Sequence, residues 1–77
     1  MSYDFRQKTF GRFTVHIYNV GMNPKEYFYD NAVLAIQFAK NCFKNNDNCY
    51  KVKVWDSELG PIEPNRVDPP GLILHLV

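Results

Sequence analysis

The sequence predicts an α+β fold: a small three-stranded sheet packed on one helix, in the order β-α-β-β. Three observations carry this. The stretches FGRFTVHIYNV and CYKVKVWD alternate apolar and polar residues with the period of a strand. A helical stripe lies between them, opened by a capping signal. LILHLV closes the chain as a third strand.

Residues 1–9 are expected to form a loose N-terminal segment or a short edge strand. The first full strand covers residues 10–20. Phe13, Val15 and Ile17 point one way there, and Thr14, His16 and Tyr18 the other. Gly21 ends it.

NPKE, residues 23–26, is the sharpest local signal. Asn23 suits an N-cap, and Pro24 suits the first helical position, where a missing N–H costs nothing. Glu26 stands three residues beyond the cap, as a capping box requires. Phe28, Ala32, Ala35, Ile36, Ala39, Cys42 and Phe43 then recur at spacings of three and four. This predicts one helix over residues 24–44, with an irregularity near Tyr29. Asp30 offers an alternative cap for a second helix after a single turn. NNDN stops the helix.

The strand Cys49–Asp56 puts Cys49, Lys51, Lys53 and Trp55 on one side and Tyr50, Val52 and Val54 on the other. DSELGP is a turn. Residues 57–71 read as a Pro-rich surface loop. In the last strand Leu72, Leu74 and Leu76 share one face, and Ile73, His75 and Val77 the other.

One domain over residues 1–77 accounts for the whole chain. A chain this small buries only about 60% of its unfolded surface, so its stability is marginal. Hydrophobic residues make up 45% and aromatics 16%, too rich for a disordered chain. Net charge is +1, with a basic body and an acidic tail. Between Arg6 and Lys53, eight Lys or Arg face Glu26, Asp30 and Asp47; from Val54 onward, Arg66 faces Asp56, Glu58, Glu63 and Asp68. No apolar run approaches the roughly 20 residues of a bilayer span. The expected setting is cytoplasmic, without membrane contact; two cysteines are too few for a secreted disulfide framework.

No motif specifies a reaction. Cys42, Cys49, His16 and His75 are zinc ligands by type, but their spacing lacks any C-x2-C pair. Cys42 falls on the apolar stripe, where burial makes a poor nucleophile. Asp56 and Glu58 are too few for a cation cage and suit a turn better. Gly11, Gly21, Gly60 and Gly71 are scattered singly and form no phosphate loop. The chain is therefore expected to be no enzyme, with no cofactor and no metal.

The sheet face away from the helix is expected to carry His16, Tyr18, Trp55, either Ile73 or Leu74, and Phe10 as a further candidate, too much apolar surface to leave to water. This predicts a non-enzymatic protein-interaction module that occludes or recruits a partner protein, as an inhibitor or regulator does. Tyr18, Trp55, Leu74 and His75 are its expected contact residues, and a homodimer is the default assembly. The alternative is a single-stranded nucleic-acid binder. Arg6, Lys8 and Arg12 interleave with Tyr3, Phe5, Phe10 and Phe13 in the N-terminal stretch, and Lys51, Lys53 and Trp55 add to them. The near-neutral charge weighs against it.

Overall fold

A computed structural model describes residues 11–77. The elements run β1 (Phe13–Asn19), β2 (Lys25–Tyr29), α1 (Ala32–Asn45), β3 (Cys49–Asp56) and β4 (Leu72–Leu76). The sheet order is β2-β1-β3-β4, and each neighbouring pair is antiparallel. The α+β class and the single helix are as expected. The sheet has four strands among the described residues where three were predicted.

The difference lies in NPKE. Residues 25–29, KEYFY, form a strand that pairs with β1 from Ile17↔Lys25 to Phe13↔Tyr29. Three aromatics in succession fit a pleated surface better than a helical turn, and β1 is close in sequence to receive them. The connection turns at Asn19, whose carbonyl accepts the Met22 N–H at 3.2 Å, with Gly21 at φ 73°. The helix cap is thus neither Asn23 nor Asp30. Asn31 Oδ1 accepts the amides of Val33 and Leu34 at 2.8 and 3.2 Å.

Phe13, Val15, Ile17, Val52 and Val54 fill the sheet side of the core, and Ala35 and Ala39 fill the helix side. The two alanines let the helix come down close on the valines. Phe38 stacks between Tyr27 and Tyr29, with ring centroids 4.8 and 5.6 Å away, and so anchors β2. Ala32, Cys42 and Phe43 pack around this cluster. Two members of the expected stripe depart from it: Phe28 belongs to β2, and Ile36 is half-buried outside the central cluster. Leu74 and Leu76 stand opposite Val54 and Val52, on the helix side.

Two polar junctions tie the ends of the sheet. At one, Asn46 caps the helix C-terminus through its N–H to the Cys42 carbonyl, donates Nδ2 to Asn19 Oδ1 at 3.1 Å and accepts the Asn48 amide at 3.0 Å. At the other, the Asp56 amide donates to the Gly71 carbonyl at 2.7 Å, and Asp56 Oδ1 accepts the Glu58 amide at 3.0 Å. Residues 57–71 between β3 and β4 contain no helix or strand.

Candidate interaction surface

The helix covers one face of the sheet. The other face carries Thr14, His16 and Tyr18 from β1 and Lys51, Lys53 and Trp55 from β3. The registers set four polar residues in one row straight across the strands: Glu26, His16, Lys53 and His75. Cross-strand partners of this kind stand about 5 Å apart at Cβ.

His16 is held from two sides. Glu26 Oε2 lies 2.9 Å from its Nε2, and the Trp55 indole donates to its Nδ1 at 3.1 Å. An indole N–H can only donate, so Nδ1 is the acceptor and Nε2 carries the proton toward Glu26. Both ring nitrogens are thereby committed.

Trp55 is 1% exposed, so it shapes this face and offers no contact area of its own. Lys53, 8% exposed, has its ammonium 5.9 Å from the Tyr18 ring centroid and 5.8 Å from that of Trp55. Burial and the neighbouring Lys51 push its pKa below the ordinary lysine value. Lys51 sits nearer the same ring, 4.4 Å above Tyr18. Tyr50, 51% exposed, lies 6.3 Å from Tyr18.

Arg12 lies at the far end of the sheet. Its Nε and Nη2 donate to the two Asp56 carboxylate oxygens at 2.9 and 3.0 Å, a bidentate pair, and Glu58 stands 3.6 Å from its Nη1. The hydrogen bonds from Arg12 hold the Asp56 carboxyl below its usual range.

Of the expected protein-contact residues, Tyr18, Trp55 and His75 share the helix-free face by register. Leu74 does not; it packs on the helix side, because the β3–β4 register sets it opposite Val54. Of the nucleic-acid set, Lys51 and Lys53 are neighbours on one strand. Trp55 is too buried to stack a base, and Arg12 is engaged by carboxylates. Arg6, Lys8, the aromatic residues Tyr3, Phe5 and Phe10, and the expected loose segment lie outside the described residues. Glu26 was read as part of a helix cap. Only its place on a strand opposite His16 reveals its role.

The edges of the described sheet differ. β2 carries Lys25 and Glu26. β4, LILHL, carries no Lys, Arg, Asp, Glu or Pro. Cys42 and Cys49 are free thiols, and burial pushes the Cys42 pKa up. Among the described residues no three His, Cys, Asp or Glu side chains group as metal ligands, and no helix is long and apolar enough to cross a membrane. Comparison with protein-family models, with curated proteins and with solved structures finds no match for this chain.

Proposed function

We propose that this chain is a non-enzymatic protein-interaction module that docks by strand addition at β4, and that a second copy of itself is the first occupant. The supporting observation is the contrast between the two edges. An edge strand offers a row of backbone donors and acceptors, and proteins commonly guard it with charge or proline. β2 has such charges and β4 has none. An unguarded edge is the template for β-augmentation.

The β4 sequence is also self-complementary. A two-fold axis at Leu74 sets Leu74 against its own copy and Leu72 against Leu76 of the second chain. Leu74 and Leu76 then continue the helix-side core toward the interface, while Leu72, beyond the bulge, stands opposite Trp55. His75 stands opposite Ile73, so the two copies of His75 do not face each other across the interface. Trp55 supports this surface from within and does not meet the partner. The same edge would accept an extended apolar segment of another protein, the route by which the module occludes or recruits a target.

Sedimentation equilibrium tests the reading. At tens of micromolar, a concentration typical for weak self-association, the parent chain is expected to exceed its monomer mass. His75→Lys, which adds a charge at an exposed edge position, is expected to return it to monomer with an unchanged circular dichroism spectrum. A parent that stays monomeric removes the second copy as occupant. A His75→Lys variant that still dimerises moves the interface away from β4.

A further inference from the structure

We propose that His16 is a proton-operated latch on the helix-free face: when the imidazole takes a second proton at Nδ1 it releases the Trp55 indole, so that acid opens the seat of the single tryptophan. The device is independent of any pairing at β4.

Two contacts on one ring set the logic. Nε2 of His16 lies 2.9 Å from Glu26 Oε2, and the Trp55 indole N–H reaches Nδ1 at 3.1 Å. An indole can only donate, so the neutral ring accepts at Nδ1 and carries its own proton on Nε2. A second proton then has one place to go, the Nδ1 lone pair that the indole already uses. Once Nδ1 is protonated, two N–H groups face each other and one must leave. Proton uptake and the indole bond exclude each other.

The surroundings decide which group gives way. Among the described residues, Nδ1 is the sole hydrogen-bond partner of the indole N–H, and Trp55 is 1% exposed. A buried donor stripped of its acceptor carries its full desolvation cost, which turning toward water removes. His16 is the better anchored of the two, because a positive ring strengthens its bond to Glu26. The charged neighbours divide. Glu26 on β2 favours the imidazolium, and Lys53, the direct partner of His16 on β3, opposes it. Along β1, Tyr18 stands edge-on to the ring at 6.4 Å, with the Lys51 ammonium 4.4 Å from the Tyr18 centroid. His75 lies beyond Lys53 on β4, and α1 packs on the opposite face. Of these groups only Glu26 and Trp55 bond the ring nitrogens, so the proton acts on the indole directly.

One tryptophan and two histidines make the test clean. Trp55 emission is followed from about pH 8 to about pH 5, the range in which histidines change charge, alongside the imidazole proton resonances and far-ultraviolet circular dichroism. Emission is expected to move to longer wavelength with the midpoint of the His16 resonances, while the dichroism stays constant. His16→Gln keeps an acceptor for the indole and cannot be charged; its emission is expected to lose the transition. His75→Gln is expected to retain it. Glu26→Gln, at a half-exposed position, is expected to move the midpoint to lower pH, since the imidazolium loses its carboxylate, and it serves if His16→Gln fails to fold. Emission that stays flat across the range overturns the proposal. So does a transition that survives in His16→Gln, a midpoint unmoved in folded Glu26→Gln, or dichroism lost at the same midpoint, which would make the shift a report of unfolding.

Discussion

Trp55 donates its indole N–H to Nδ1 of His16 across 3.1 Å, a bond between two neighbouring strands on the face the helix leaves bare. It fixes which nitrogen of His16 carries the proton. The ring lies 6.0 Å from the imidazole and is anchored by it, so the indole belongs to the monomer.

The first prediction follows from this bond. In the neutral imidazole, His16 is expected in the Nε2–H form. Nitrogen-15 shifts of the ring decide it. In Trp55→Phe, which lacks the donor, the population of the other form is expected to rise. A parent spectrum of the Nδ1–H form contradicts the geometry.

The second concerns the helix start. Asn31→Ala is expected to cost about 1 kcal/mol in chemical denaturation, the usual worth of an N-cap. Asn23→Ala, in an exposed turn, is expected to be close to neutral. The reverse ranking restores the helix start at residue 23.

The third concerns acid. Arg12 lowers the folded-state pKa of Asp56 below the unfolded value of about 3.9. The native chain therefore binds fewer protons than the unfolded chain in that window, and stability rises with pH across it. The contribution is complete above about pH 4 and is lost as pH falls through the lower folded-state value. Asp56→Asn is expected to melt below the parent at neutral pH, with the gap closing in strong acid. A gap that stays constant from neutral to acid pH contradicts this.

The fourth concerns the β3–β4 connection. A methyl group on Gly71 would stand 2.7 Å from the Gly60 carbonyl oxygen, backbone against backbone. Gly71→Ala is expected to cost about 1–3 kcal/mol, the scale of overpacking. Denaturant midpoints for the variant and parent measure it.

Much of the fold was legible in the sequence, and the exceptions have physical causes. β1 and β3 follow from alternation and β4 from its apolar, branched content, and β3 divides between its faces as that period implies for Val52, Val54, Lys51 and Lys53. β2 was hidden because Asn23, Pro24 and Glu26 satisfy a helix-cap pattern locally, while pairing with β1 decides the outcome. Propensity is a weak prior when a tertiary partner is near. The row Glu26, His16, Lys53, His75 could not be read, since it spans four strands and depends on three registers. The bulge between Val54 and Trp55 was likewise invisible. Leu74 was assigned with the open face, because nothing in LILHLV distinguishes its two sides until Val54 is set opposite.

The central claim is that β4 is an interface. Amide hydrogen exchange at several protein concentrations tests it most directly. Exchange of the outward-facing amides in residues 72–76 is expected to slow as concentration rises, while β2 keeps its rates. Strand pairing protects backbone N–H groups in this way and side-chain contact alone does not. Concentration-independent exchange throughout β4, or protection that appears in β2 instead, contradicts the account.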